Sequence, residues 1–495
     1  MVLAASCASS EPSISGIERA RDVFTVGYDG LADFYIEPLD MQKLTVHGLT
    51  GLKTLDPALA FTASNGRLTV AGSGGAKEFK MPTDGDARRW ARFTTDVVNE
   101  GRNQSGILKN ATPEAIYKAV FEAELADLDQ FSRYSPADSA RQQRATREGF
   151  GGIGITLNIN ESGVAVSSVM PESPAARAGM RDGDKILSAD GQSLSGMSAT
   201  DVLDRLRGPV DSSLRLHVLR DGKALDFNIK RASIVPATVT LKREGGVAHI
   251  RVTGFNQRTG KQVEEAVQQA FATMGPEIKG FILDLRGNPG GLLDQAVYVS
   301  DLFLNEGTIL TTNGRHPRAK QNYRATEGDV ARGLPMVVLV NGGSASASEI
   351  VASALQDNHR AVVVGSTSYG KGSVQTVLRL PNDGEITITW ARMYTPAGHP
   401  LHRIGVVPSV CTSQYAGDPA VVIEDLRRGA PQLGGAYTQI GSFIRQGDAG
   451  GEALRHVCPA RSSEGEFELK VATQLLEDSL LFSMAARQAQ LALTP

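Results

Sequence analysis

The sequence predicts a multidomain α+β protein: a mainly helical N-terminal region, a β-rich module, an α/β core and a helical tail. Three observations carry this. A chain of 495 residues has room for about three domains of ordinary size, and 41% hydrophobic against 21% charged residues exclude a disordered chain or a coiled coil. The apolar periodicity switches twice, at Gly149 and near residue 233, from helical spacing to short strands and then to strands alternating with helices. Glycine, with 53 residues, exceeds its usual ~7% share and gathers in loops instead of following a collagen-like repeat.

Within residues 1–16, Leu3-Ala4-Ala5-Ser6-Cys7 resembles the cleavage end of a bacterial lipoprotein signal, without its charged and apolar front portion. Cys7 is therefore a candidate lipid anchor, set against a disordered N-terminus with an incidental cysteine. Residues 17–60 carry helical spacing at Val23, Val26, Leu31 and Phe34, then at Leu44, Leu49 and Leu52, which predicts two helices ending at Leu55-Asp56-Pro57. Phe61 to Lys80 alternates around Asn65-Gly66, a hairpin signal, and residues 86–106 and 113–130 return to helical period. Residues 17–148 thus read as a mainly helical domain with a β-hairpin insertion.

After Gly149-Phe150-Gly151-Gly152-Ile153-Gly154, short β-rich runs alternate with turns such as Asp182-Gly183-Asp184 and Asp221-Gly222. Six strands and two helices, Pro174 to Ala178 and Ala199 to Arg207, fit residues 149–231. The run Ser173-Pro174-Ala175-Ala176-Arg177-Ala178-Gly179-Met180-Arg181-Asp182-Gly183-Asp184-Lys185-Ile186-Leu187 resembles that of PDZ domains. The resemblance implies that the Gly152-Ile153-Gly154-Ile155 loop binds a terminal carboxylate through backbone N–H groups, and that the next strand pairs with an added peptide strand. Val202 and Leu206 would line the groove from the second helix, or else complete the core.

Residues 233–410 alternate: strand Val247 to Val252, helix Lys261 to Met274, strand Phe281 to Leu285, helix Leu292 to Leu302, strand Met336 to Val340, helix Ala347 to Leu355 and strand Ala361 to Val364. That order predicts an α/β layer with parallel pairs, its chemistry on loops beyond strand ends. Residues 411–495 form a C-terminal extension with Cys411 and Cys458, a candidate disulfide pair, and a final helix from about 466 to 492. An odd cysteine beside a pairable set points to an oxidising, extracytoplasmic compartment, periplasm or envelope.

Several function classes are excluded or disfavoured. A formal charge of −3 provides no basic field for nucleic acid. Apolar runs such as Leu334 to Val340 fall far short of the ~18 residues that span a bilayer as a helix. No C-x-x-C pair exists, and His399-Pro400-Leu401-His402 is too short and too kinked for a helical zinc site, so neither metal nor other cofactor is expected.

The chemistry-bearing runs follow two strands. Asn341-Gly342-Gly343-Ser344-Ala345-Ser346-Ala347-Ser348-Glu349 precedes a helix, whose N-terminal N–H groups and dipole suit a developing oxyanion. Taken alone, this reads first as a serine-rich helix cap, with Ser344 or Ser346 satisfying N–H donors. The second run, Gly365-Ser366-Thr367-Ser368-Tyr369-Gly370-Lys371-Gly372-Ser373-Val374-Gln375, has the glycines of a phosphate loop but lacks the Ser or Thr after its lysine and leads into a β-rich stretch. A Ser/His/Asp triad has His359, His399 and His402 to draw on, none in a recognisable motif.

Together with Asp284-Leu285-Arg286-Gly287-Asn288-Pro289-Gly290-Gly291, these runs resemble the motifs of the C-terminal processing peptidases, or tail-specific proteases. The resemblance extends from about residue 17 to 410 and is tightest from 149 to 380. It implies a ClpP/crotonase-like core, Ser346 as nucleophile, Lys371 as general base 25 residues on, and Gln375 orienting the lysine. The Gly291 and Ala347 N–H groups would form the oxyanion hole, with Gly290 and Gly287 as alternative donors. A lysine of reference pKa ~10.4 must be desolvated to serve as a base at neutral pH. The implied partners are proteins or peptides with accessible C-termini, an adaptor or activator, and a second copy of the chain. Leu128-Asp129-Gln130-Phe131-Ser132-Arg133-Tyr134 departs from the family's Leu-Asp-Pro motif, and Pro408 lacks the customary Asp after it. The rival reading is a non-catalytic PDZ scaffold on a protease-like fold.

Overall fold

The computed structural model describes residues 16–429, 453, 455–462 and 464–493; the candidate lipidation site Cys7 lies outside them. Helices Gly16–Phe34, Met41–Thr50, Ala87–Gln104 and Pro113–Ala126 close around an apolar cluster in which Phe24, Tyr28, Trp90 and Phe121 are fully buried. Three of these helices start on side-chain caps: Asp40 accepts from the Lys43 N–H, Asp86 from Arg88 and Arg89, and Thr112 from Ala115. Ala60–Ser64 and Arg67–Gly72 pair around Asn65 and Gly66, both at positive φ, and Gly75–Lys80 adds a third strand.

Residues 155–230 form an antiparallel path in the order Lys223–Lys230, Ser213–Arg220, Lys185–Ala189, Gly163–Val169, Ile155–Asn160. Ile155–Asn160 ends that path, so its outer edge has no strand partner among the described residues. Phe150–Gly152 leaves the sheet to pair with Ala232–Ile234, joining the module's entry to its exit.

The core sheet has six strands in the order Val239–Glu244, Val247–Val252, Gly280–Asp284, Met336–Val340, Val362–Gly365, Val410–Cys411; the first pair is antiparallel and the rest parallel. Its faces follow the strand period of two. Leu283, Val338 and Val363 pack with helices Thr259–Met274, Leu293–Asp301 and Ala347–Asp357, while Ile282, Val337, Leu339 and Val364 pack on the opposite side. Burial on both faces explains why these strands read as continuous apolar runs.

The tail differs from its expected place. Val410–Cys411 is the sixth strand, and helices Ala420–Arg427 and Glu466–Glu477 cover the sheet's second face through Val422, Leu426, Leu469 and Leu475. A two-residue strand leaves no periodicity to detect, so the predicted boundary at 410/411 cuts through it. The single final helix is instead two, Glu466–Glu477 and Ser479–Leu493, because Asp478 accepts from the Leu480 and Leu481 N–H groups (both 3.1 Å) and starts a new helix.

A second sheet, not anticipated as such, orders Gln321–Arg324, Thr308–Asn313, Glu385–Tyr394 and Ser373–Arg379, with Arg133–Ser135 also pairing with Glu385–Tyr394. It ties the N-terminal region to the strand that follows Lys371.

Candidate active site

Strand Met336–Val340 turns through Gly342 and Gly343 into helix Ala347–Asp357, with Ser346 as N-cap. Ser346 sits at φ 55°, ψ −112°, a conformation that costs a non-glycine residue of order ~1–3 kcal/mol. Neighbouring bonds hold it there. Ser344 Oγ donates to the Leu285 carbonyl (2.8 Å), the Ala345 N–H to the Asn288 carbonyl (3.0 Å), and Ser348 Oγ to the same carbonyl (2.9 Å). Ser344 and Ser348 are thus buried and engaged, while half-buried Ser346 faces the cavity described below.

Glu349, on the first turn of that helix, is fully buried and joins the serine turn to the lysine loop. Oε2 accepts the N–H of Ser346 (2.7 Å) and of Lys371 (2.9 Å); Oε1 accepts the N–H of Gly370 (2.6 Å) and Ser368 Oγ (2.5 Å). Burial pushes its carboxyl up, against the opposing effect of these donors. Sequence reasoning assigned it no role, although a capping-box pattern, Ser346 to Glu349, was there to find. The glycines beside the lysine are explained by space: a Cβ on Gly372 would lie 1.9 Å from the His402 nitrogen.

Lys371 is half-buried, and its Nζ lies over the Phe131 ring, 5.2 Å from the centroid. Burial lowers its pKa, and the Arg133 charge lowers it further, against the opposing fields of Glu349 and Asp129. No hydrogen bond links Lys371 Nζ to Ser346 Oγ among the described residues. Gln375, on strand Ser373–Arg379, gives its amide to Ser373 (2.8 Å to Oγ, 3.2 Å to the carbonyl), not to the lysine.

The glycine loop after Asp284 sorts its own donors. The Gly287 N–H goes to Asn341 Oδ1 (2.9 Å) and the Gly290 N–H to Asn288 Oδ1 (2.9 Å). The N–H groups of Gly291 and Ala347 have no acceptor among the described residues and belong to residues lining the same cavity. Gly290 itself, at φ 100°, packs against the serine turn: a Cβ there would lie 2.7 Å from the Ala345 carbonyl oxygen and 2.9 Å from the Ala347 nitrogen. At the strand end Arg286 pairs with Asp284 (3.0 and 2.8 Å) and reaches the tail at the Gly465 carbonyl (2.6 Å). Burial raises the Asp284 pKa, but hydrogen bonds from His249 and Arg286 outweigh it and hold the carboxyl well below the usual range.

Ser346, Ala347, Lys371, Gln375 and Gly291 line one cavity of about 250 Å³, over an apolar floor that includes Leu292, Ile350 and Met393. No histidine is among the described residues that line it. A groove of about 940 Å³ runs along the Ile155–Asn160 edge, with Gly154 and Ile155 at one end. Ile153 is buried in the module's core, and Gly152 pairs with Ala232. The groove's helical wall is not Val202 and Leu206, which are buried in that core, but Ala199, Leu203 and Arg207. Helical period separates the sets: 199, 203 and 207 share one face, 202 and 206 the other.

The tail closes over the loops from behind. Cys411 and Cys458 are bonded, S–S 2.14 Å. The Thr367 hydroxyl donates to the Cys458 carbonyl (2.6 Å), the Gly342 N–H to the Arg461 carbonyl (2.7 Å), and Arg455 to the carbonyls of Ser368 (3.1 Å) and Tyr369 (3.0 Å).

Residues 246–411 match the sequence model of Peptidase family S41, and residues 165–220 that of the PDZ domain, which defines a peptidase-family core carrying a PDZ module. The chain is 40% identical over 294 residues to a carboxy-terminal-processing protease of Bartonella bacilliformis, covering 59% of this chain and 68% of that one. It is 30% identical over 358 residues to the carboxy-terminal processing protease CtpA of Bacillus subtilis, covering 71% and 74%. Among solved structures, a photosystem II D1 C-terminal processing protease aligns at 26% identity and TM-score 0.37, over 75% of this chain and 92% of that one. The chain belongs to the carboxy-terminal-processing proteases of peptidase family S41.

Proposed function

We propose that the chain is a serine endopeptidase that cleaves protein substrates near their C-termini with a Ser346/Lys371 dyad. The observation that carries this is the convergence on one cavity of a strained serine at a helix N-terminus, a lysine whose pKa burial depresses, and two unbonded N–H groups. Lys371, when neutral, takes the Ser346 proton as Oγ attacks the scissile carbonyl carbon, and the oxyanion forms between the Gly291 and Ala347 N–H groups. The lysine then gives that proton to the leaving amine. Lys371, neutral again, deprotonates a water that attacks the acyl carbon, and returns that proton to Ser346 Oγ as the ester bond breaks and the new carboxyl product leaves. For closure, Lys371 turns from the Phe131 ring towards Oγ, and Gln375 exchanges Ser373 for the lysine.

The PDZ groove, with its open Ile155–Asn160 edge, captures the substrate's C-terminal segment as an added strand, its carboxylate near the loop 152–155. The Cys411–Cys458 bond supports an oxidising compartment such as the periplasm. Ser346→Ala and Lys371→Ala should each abolish peptide cleavage in a folded protein. A serine-reactive probe should label the wild type and not Ser346→Ala; substantial turnover by either variant would overturn the assignment, and an unlabelled, inert wild type would leave a binding scaffold.

A further inference from the structure

Besides Lys371, the charged side chains that line the catalytic cavity are Arg133 and Arg147, and no carboxylate lines it among the described residues. Arg147 is committed. With Arg144 it spans the buried carboxylate of Glu385, at 3.2 Å to Oε1 and 3.3 Å to Oε2 against 2.8 Å from Arg144 to Oε1. Arg133 is exposed, and the one hydrogen bond of its side chain among the described residues runs from Nη1 to the Phe131 carbonyl at 3.3 Å. The field of Glu385 reaches it, but that carboxylate is already spanned by two other arginines.

Its position is built, not incidental. Arg133 stands opposite Thr387, which stands opposite Val377, and laterally paired residues project from one sheet face; all three line the cavity. The approach to the strand is fixed by Asp129, whose carboxylate accepts from the Phe131 N–H (2.7 Å), the Ser132 N–H (3.0 Å), Ser132 Oγ (2.7 Å) and Thr389 Oγ1 (3.0 Å). Asp129 is thus engaged by the loop and the neighbouring strand, and no hydrogen bond joins it to Arg133 among the described residues. The result is a guanidinium without a carboxylate hydrogen-bond partner, on the wall of the cavity that holds the nucleophile. A planar, always-charged fork in that place matches a carboxylate brought by the bound chain.

We propose that Arg133 is a specificity-determining residue that takes a carboxylate of the substrate, from an acidic side chain near the cleaved bond or from a free C-terminus a residue or two away. This rests on the peptidase reading above. The test uses the full chain and a set of C-terminally amidated fluorogenic peptides, with one Asp or one Asn at each of the three positions on either side of the cleaved bond. A neutral peptide ending just after the bond, as acid and as amide, completes the set. The wild type should prefer the carboxylate in at least one pair by about tenfold in kcat/KM, the size expected of a charge-assisted bond. The pair concerned tells side chain from terminus. Arg133→Gln should bring that ratio close to one, and Arg133→Lys should keep part of it. Comparing variants within a pair separates this effect from carboxylate capture by the PDZ loop, which Arg133→Gln leaves intact. Ratios equal in wild type and Arg133→Gln for every pair would overturn the inference alone; a wild type that cleaves no peptide would overturn the peptidase reading and this one with it.

Discussion

At the scale of single residues, the site depends on a carboxylate that touches no substrate. Each oxygen of Glu349 accepts two donors, so an amide in its place must turn NH₂ towards N–H groups whichever way it is flipped. Glu349→Gln should therefore lower stability by about 2–4 kcal/mol, read by urea unfolding, and lower kcat at least tenfold even where the fold persists. The lysine makes a separate prediction. Only its neutral form accepts a proton, so activity rises with pH through the Lys371 pKa. Burial first, and Arg133 second, place that limb below the position of an ordinary lysine. Removing the Arg133 charge lets the pKa climb, which moves the limb to higher pH in Arg133→Gln; a limb that stays put or moves down would contradict this origin of the shift. Ser346 and Lys371, the proposed nucleophile and base, were legible from their motifs. That Arg133 has no carboxylate hydrogen-bond partner among the described residues was not, because it depends on two other arginines, one of them 14 residues away, occupying Glu385.

Among elements, those with a strong local signature emerged close to their expected bounds: the Asn65-Gly66 hairpin, the helix Pro174–Ala178, and the strand-to-helix unit Met336–Val340 into Ala347–Asp357. What could not be read was which face an amphipathic helix turns where. On Ala199–Leu206 the sequence pointed Val202 and Leu206 at the groove and passed over Leu203, and only packing decides that 202 and 206 go inside and Leu203 stays exposed. Leu203→Asp should thus weaken binding of a C-terminal peptide by about tenfold or more in a fluorescence titration of Ser346→Ala protein, with little change in thermal stability. Val202→Asp, by contrast, should unfold the module, since it buries an unpaired charge in the cluster around Leu214 and Val218. The lysine's sheet was missed for a related reason: its five strands come from sequence positions 133 to 394, and no window of the chain contains that pairing.

For the whole molecule, the tail is the feature that composition and spacing described least well. It contributes a strand and one layer of the core, and a covalent tether holds its segment from Arg455 to Arg461 against both the serine turn and the lysine loop. Cys411 and Cys458 are 47 residues apart, and closing a loop of that length restricts the unfolded chain by about 4 kcal/mol on the chain-entropy account. Reduction with a dithiol, or Cys411→Ser, should lower the unfolding midpoint accordingly and reduce peptide turnover well before the fold is lost, followed by far-UV circular dichroism beside a cleavage assay. Turnover that survives reduction unchanged would mean that the hydrogen bonds from Arg455 hold the loop unaided. The order of the chain adds a consequence in time. The ribosome makes the serine and lysine loops before the segment beyond Arg455 that braces them, so a nascent chain carries the reactive groups for a while without their support. Peptidase competence should then arrive only after that later stretch has docked and Cys458 has been joined to Cys411.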